Sequence, residues 1–411
     1  MNYSVFIHKN GAEVSGVALK DQARKKNMIA HLSSKGKSTV PEMADLLNIS
    51  VPKTKKLLMG LLQEGLVKDT GRKTQGLGRK ASIYNLNQES CYFLGIEIKK
   101  YKINIGLMSF NADIVDSSLN IPFPYLDTRE SLDAIIKEIQ HFLAQTALPK
   151  EKIVGIGLSL AGRINVKTSQ MLSLYHFGDA SIKTKLEEDL GLPVFMDNDS
   201  RTVAYGEYYF GANGLPYTEK NVCIVNLDYG IAIGIFDNGR PIYGASGYAG
   251  EIGHIQMFDN EKICFCGKKG CFETEASGLA LINLLNARMD EGSSSRLQKP
   301  RAKKGFIELE DILEAIRHGD SLAIEGVTEI AHNLGKGLAI AINLLNPDLI
   351  VLAGTLAGIG ELLLFPVKTS IMQHSLSMVN IDTRIALSTM DQKAGLKGTC
   401  LLVRDKILGL I

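Results

Sequence analysis

The sequence predicts an α/β protein built as a small helical head ahead of two related α/β lobes. Three observations carry that expectation. The first 65 residues hold three short apolar-striped segments with helix-start signals, whereas from Cys91 onward the pattern changes to strands separated by glycine turns. A unit of two strands around a tight turn recurs in the second half of the chain. Charge also divides: residues 1–90 hold 15 Lys+Arg against 7 Asp+Glu, while residues 91–411 hold 31 against 37. At 411 residues, two to four domains are expected.

In the head, Ala23, Met28, Ile29 and Leu32 fall at helical spacing within residues 20–35, and Gly36 supplies a stop. Thr39-Val40-Pro41-Glu42 reads as a capping box with proline in the first turn, opening a helix through Met43, Leu46 and Leu47 that Asn48 ends. Ser50-Val51-Pro52 starts the third helix, whose stripe is Leu57, Leu58, Leu61 and Leu62 before Gly65. Leu66–Lys68 and Ala81–Leu86 pair as a hairpin around the glycine- and lysine-rich segment 71–80. That order is a winged helix-turn-helix.

In the body, strands are expected over Tyr92–Ile98, Ile103–Met108 and Ile114–Asn120, then a helix over Ser131–Ala144. The later counterpart is Val222–Leu227 paired with Ile231–Phe236 around Asp228-Tyr229-Gly230, followed by the Asn238-Gly239 turn. Residues 291–305, polar, basic and aperiodic, read as an exposed loop. An apolar helix pattern over Ala394–Leu410 closes the chain.

With 45% hydrophobic and 22% charged residues, the composition excludes a disordered or low-complexity chain. The longest apolar runs, Ile153–Ala161 and Leu338–Leu345, are far shorter than a membrane span, and Met1-Asn2-Tyr3-Ser4 opens no secretory signal. The expectation is a cytoplasmic protein with no membrane partner.

Six cysteines in such a chain do not suggest a disulfide framework. Three of them, Cys264, Cys266 and Cys271, fall within eight residues, and His254 lies just upstream. Three thiolates and an imidazole fill a tetrahedral Zn²⁺ and leave no position for a catalytic water, so the site is expected to be structural, with Gly267 and Gly270 allowing the tight turns. The competing reading is a set of buried free thiols packing as small apolar groups.

Glu251-Ile252-Gly253-His254, the cysteine knuckle with its tail Gly270-Cys271-Phe272-Glu273, and Ala276-Ser277-Gly278 resemble the signature of the ROK family of bacterial sugar kinases and sugar-responsive repressors. The resemblance extends to Gly155–Gly162, Pro193–Asp199 and Pro347–Gly354, spanning residues 91–411; the head matches the repressor branch. It implies two actin-like, ribonuclease H-like lobes with a sugar in the cleft between them, arranged as a head over 1–90, a first lobe over 91–205 completed by 394–411, and a second lobe with the zinc site over 206–393. It also implies that Asn198 and Asp199 bind sugar hydroxyls, Asp199 being the proton acceptor in a kinase, and that Glu251, His254, Glu273 and Gly162 complete the ligand site. Without that resemblance, Asp199 reads as a helix cap and Glu251 as a surface charge.

The chain departs from the kinase pattern where phosphate should bind. In place of the family's Asp-x-Gly-Gly-Thr stands Glu97-Ile98-Lys99-Lys100-Tyr101, without either glycine, and the second glycine loop has become Asp228-Tyr229-Gly230-Ile231-Ala232-Ile233-Gly234, adding a carboxylate that repels phosphate. Leu352-Ala353-Gly354-Thr355 keeps part of the adenosine segment. Lysines can still bind phosphate as point charges, so ATP-dependent sugar phosphorylation is the alternative activity.

For DNA, Lys53, Thr54, Lys55 and Lys56 stand at the start of the third helix, the end that faces the major groove in helix-turn-helix proteins. Arg72, Lys73, Arg79 and Lys80 lie in the wing. The sequence thus predicts a sugar-responsive transcriptional regulator, a repressor, with operator DNA and a sugar or sugar phosphate as partners, structural Zn²⁺ as cofactor, an inactive kinase-like body, and a homodimeric or homotetrameric assembly.

Overall fold

A computed structural model describes residues 5, 16–73, 81–123, 126, 128–166, 168, 170–171, 181–390 and 393–411. Contacts divide the chain into two compact units, one of residues 1–162, 169–197 and 399–411, the other of residues 163–168 and 198–398.

The first unit opens with helices α1 (Gly16–Lys35), α2 (Val40–Leu47) and α3 (Val51–Gln63) and strands β1 (Val67–Lys73) and β2 (Ala81–Leu86), which pair antiparallel from Val67↔Leu86 to Lys73↔Ala81. The capping box forms as expected. Thr39 Oγ1 accepts the Glu42 backbone N–H at 3.4 Å, and the Glu42 carboxylate accepts the Thr39 N–H at 2.7 Å, so two amides without helical partners are satisfied. Asn48 ends α2 in the left-handed region at φ 50°.

Strands β3 (Tyr92–Ile98), β4 (Lys102–Ser109) and β5 (Ile114–Pro122) follow, then α4 (Arg129–Gln145), β6 (Ile153–Leu160), short strands β7 (Ile164–Asn165) and β8 (Gln170–Met171), α5 (Ile182–Leu190) and β9 (Val194–Asn198). The five-stranded sheet runs β5-β4-β3-β6-β9, with β3 antiparallel to β4 and parallel to β6. Every residue of β3 is buried, as the central strand of a covered sheet requires.

In the second unit lie α6 (Asp199–Phe210), β10 (Val222–Leu227), β11 (Ile231–Asp237), β12 (Arg240–Pro241) and helices α7 (Glu273–Ala276), α8 (Gly278–Asp290), α9 (Gln298–Lys304), α10 (Leu309–Arg317) and α11 (Ser321–Leu345). They are followed by β13 (Leu349–Ala353), α12 (Glu361–His374), α13 (Ser377–Asn380), β14 (Arg384–Leu387) and α14 (Ala394–Leu408), which passes into the first unit at Thr399. The second sheet runs β12-β11-β10-β13-β14, with β10 antiparallel to β11 and parallel to β13. Each sheet has its third, second, first, fourth and fifth strands side by side in that order. The repeated strand pair read from the sequence is therefore one trace of a repeated sheet topology.

The expected loop over 291–305 needs correction, because residues 298–304 form α9. Pro300 sits in its first turn, where no intrahelical N–H is required, and Arg301, Lys303 and Lys304 occupy its last turn, where cations favour the helix dipole. Buried Leu297 anchors its start, and Arg301 pairs with Asp290 at 2.8 Å. No helix of the described residues is long and apolar enough to cross a membrane.

Candidate functional site

A cluster of metal-binding character lies after the β11–β12 hairpin. A one-turn helix, Ile252–His254, brings His254 to the loop that carries Cys264, Cys266 and Cys271. Strand β11 fixes that turn: the Ile233 N–H donates to Gly250 O at 3.0 Å, and at Gly250 (φ +95°) a Cβ would stand 1.9 Å from Ile233 O. The knuckle closes through Cys264 N–H to Lys268 O at 2.8 Å and through Met257 and Phe258 N–H to Gly270 O.

The four ligand atoms all lie within 4.8 Å of one another. Cys266 Sγ is 3.6 Å from Cys271 Sγ, and Cys264 Sγ is 3.5 Å from His254 Nδ1. Burial pushes the Cys264 thiol up to about 12, and burial together with the Cys266 hydrogen bond raises Cys271. Against burial, the Lys268 backbone N–H and the two neighbouring thiols bring Cys266 down. Without a cation this packing disfavours a full set of thiolates; a bound metal ion inverts that balance.

Two carboxylates flank the cluster. Glu251 Oε2 stands 3.7 Å from His254 Nε2, so one imidazole nitrogen faces the thiols and the other a carboxylate. Glu273 Oε1 is 3.9 Å from Cys264 Sγ, and its Oε2 accepts the Ile231 N–H at 3.3 Å. Glu251, His254 and Glu273 are thereby brought together with the cysteines.

Asn198 and Asp199 stand at the head of α6. The Asn198 amide oxygen caps the helix, accepting N–H bonds from Ser200 at 3.0 Å and Arg201 at 3.3 Å; Asp199 Oδ1 accepts the Ser200 N–H at 2.8 Å. Gly162, at φ 103°, belongs to the first unit. Arg201 is a residue that sequence reasoning missed: its guanidinium donates to Gly247 O, tying α6 to the segment that leads to Glu251. No sequence spacing announces that contact, since its partners are 46 residues apart.

A scan against family models matches the ROK family over residues 93–406. The chain belongs to the ROK family. It is 31% identical over 323 residues to a glucokinase of Halalkalibacterium halodurans, covering 77% of this chain and 96% of that protein. It is 24% identical over 402 residues to the DNA-binding transcriptional dual regulator NagC of Escherichia coli, covering 97% of each chain. Among solved structures, it resembles a ROK family transcriptional regulator described as a homologue of E. coli MLC, with a TM-score of 0.77, 24% identity, and 95% and 98% of the two chains covered. A ROK family glucokinase from Streptomyces griseus, in complex with glucose and AMPPNP, gives a TM-score of 0.64 at 27% identity, covering 76% of this chain and 98% of that one.

In this ROK chain the two loops that depart from the kinase pattern carry carboxylates. Glu97 is fully buried at the end of β3, takes the Asn104 amide at 2.6 Å and has Lys99 Nζ 3.5 Å away. Asp228, at the β10–β11 turn, accepts the Thr355 hydroxyl at 3.1 Å.

The head corrects one expectation. Thr54 is fully buried, and its hydroxyl donates to Ser50 O at 3.1 Å, because its position on α3 turns inward with Leu57, Leu58 and Leu61; it holds the helix and presents nothing to bases. Lys53 is bonded to Asp21 of α1 at 2.6 Å, whereas Lys55 and Lys56 are exposed. Arg72 and Lys73 lie on β1; Arg79 and Lys80 lie outside the described residues.

Proposed function

We propose that this ROK protein is a sugar-responsive transcriptional repressor. The observation that carries the reading is a head of three helices and a two-stranded hairpin over residues 16–86, ahead of the ROK body and within the span aligned with NagC. The head binds operator DNA, with Lys55 and Lys56 at the groove and the wing residues Arg72, Lys73, Arg79 and Lys80 on phosphates. Its net charge of 15 Lys+Arg against 7 Asp+Glu over residues 1–90 supports a polyanionic partner.

The effector is a sugar or sugar phosphate, held through Asn198, Asp199, Glu251, His254 and Glu273, since a polyhydroxylated ligand needs carboxylates and amides that accept and donate in pairs. To act as a switch it binds the DNA-competent and DNA-incompetent states with different affinity. His254, Cys264, Cys266 and Cys271 hold Zn²⁺. Ligands at about 2.3 Å (S) and about 2.0 Å (N) in a tetrahedron lie roughly 3.5–3.8 Å apart, which the 3.5 and 3.6 Å separations match. The ion is structural and serves to hold Glu251, His254 and Glu273 in place.

The alternative is an ATP-dependent sugar kinase with Asp199 as base, favoured by the 31% identity to a glucokinase. One pair of measurements separates them. Anisotropy titrations of genomic promoter fragments with the full chain should show specific binding that one member of a monosaccharide and sugar-phosphate panel releases. Sugar-dependent ADP production that disappears in Asp199→Asn, with no specific DNA binding, would install the kinase instead.

A further inference from the structure

We infer that Asp228 is a built-in anion: its carboxylate fills a donor set that would otherwise take a phosphate oxygen, and so holds two loops of the second unit together without any nucleotide. The inference deepens the regulator reading and rests on it. Asp228 is half-buried in the turn between β10 and β11. One carboxylate oxygen accepts the Tyr229 backbone N–H at 3.0 Å, and the other accepts the Thr355 hydroxyl at 3.1 Å, 127 residues away in the turn that follows β13. The main chain beside it is clamped as well. Gly278 N–H donates to Asp228 O at 2.9 Å, and Leu279 N–H to Tyr229 O at 3.0 Å, which fixes the turn against the start of α8.

A backbone N–H and a hydroxyl brought to one negative group from separate loops make the kind of donor pair that binds a phosphate oxygen. Here the negative group is covalently supplied. Its local concentration is fixed by the chain, so an external anion must displace it and also face its charge. The carboxylate does two things at once: it excludes polyphosphate, and it bridges the β10–β11 turn to Thr355, a link that an unliganded pair of donors could not make. The related S. griseus glucokinase binds AMPPNP, so a polyphosphate is the chemical class against which such a residue discriminates.

The test is chemical rescue in the full chain, read by thermal unfolding with pyrophosphate as probe. Wild-type protein should show no saturable stabilisation. Asp228→Ala should melt lower, and pyrophosphate at roughly four times its dissociation constant should raise its midpoint by about 2–4 °C. Chloride at matched ionic strength should not. The double variant Asp228→Ala/Thr355→Val should lose the rescue, because half of the donor pair is gone. Asp228→Asn, which keeps the shape and an acceptor oxygen, guards against an unfolded alanine variant: it should fold and bind pyrophosphate more tightly than wild type. Equal pyrophosphate stabilisation of wild type, or no gain in either Asp228→Ala or Asp228→Asn, would overturn the inference. Operator binding by wild type is measured separately, so failure here leaves the regulator reading standing, and failure there leaves this result readable.

Discussion

At the scale of single residues, the candidate metal cluster makes the sharpest predictions. Proton and metal compete for the same sulfurs, and burial pushes the Cys264 thiol up, so Zn²⁺ affinity should rise with pH and fall on acidification. Zinc competition with a chromogenic chelator between pH 6 and 8 checks the sign; a flat profile would exclude thiolate ligation. Replacing Cys264, Cys266 or Cys271 by Ser should remove the metal and lower the melting temperature by about 5–10 °C, metal binding being part of the folding free energy. The carboxylates proposed to hold the effector make a separable prediction. Alanine at Asp199 or Glu273 should weaken effector binding about 10–100-fold, the cost of a charged hydrogen-bond acceptor, while operator affinity without effector stays near wild type. Unchanged effector titrations in both variants would move the ligand elsewhere.

At the scale of elements, the proposed function separates residues of the head that build α3 from residues assigned to DNA. Thr54→Val should cost about 1 kcal/mol of stability, the worth of one buried hydrogen bond, and leave sequence preference intact. Lys55→Ala should change which promoter fragments are selected, and removing Arg79 and Lys80 should weaken binding to all sequences and flatten the salt dependence, because fewer counterions are released. A salt titration of Kd across specific and random fragments distinguishes these outcomes. The α2 capping box carries its own pH dependence. The Thr39 backbone N–H, then its hydroxyl, lowers the Glu42 carboxyl below the ordinary carboxylate range. A lowered carboxyl stabilises the folded state above its unfolded pKa, and this contribution fades as pH falls through the folded value.

At the scale of the molecule, the head is not a bead on a string. Met28, Ile29, Leu32, Leu58 and Leu61 of the head share one buried cluster with Phe93 of β3 and with Val403, Ile407 and Leu408 of α14. Arg404 of α14 lies in the same unit, ion-paired to Asp405 at 2.9 Å, both side chains buried, and donating to Ser33 Oγ of α1 at 2.7 Å. Arg404→Ala should therefore destabilise the first unit by roughly 3–5 kcal/mol, the cost of leaving one partner of a buried pair alone. Head and first lobe should melt in a single transition by calorimetry; an independent low-temperature transition for the head would show that this core is not cooperative.

Local chemistry made much of this readable in advance. The Thr39/Glu42 capping box, the Asn48 stop, strand β3 and the His254–Cys271 ligand set were legible because cap bonds, burial periodicity and ligand type are decided within a few residues of the chain. The sequence by itself therefore determined the helices and hairpin of the head, the strand pairs that open each sheet, the family of the body and the four residues of the His/Cys cluster. Only the tertiary structure decided that Lys53 is spent on Asp21, that residues 298–304 close into a helix against Asp290, and that Asp228 reaches Thr355 across 127 residues. Each of those outcomes depends on a partner distant in sequence, whose position is set by packing, and no local pattern of residue types encodes where such a partner will be.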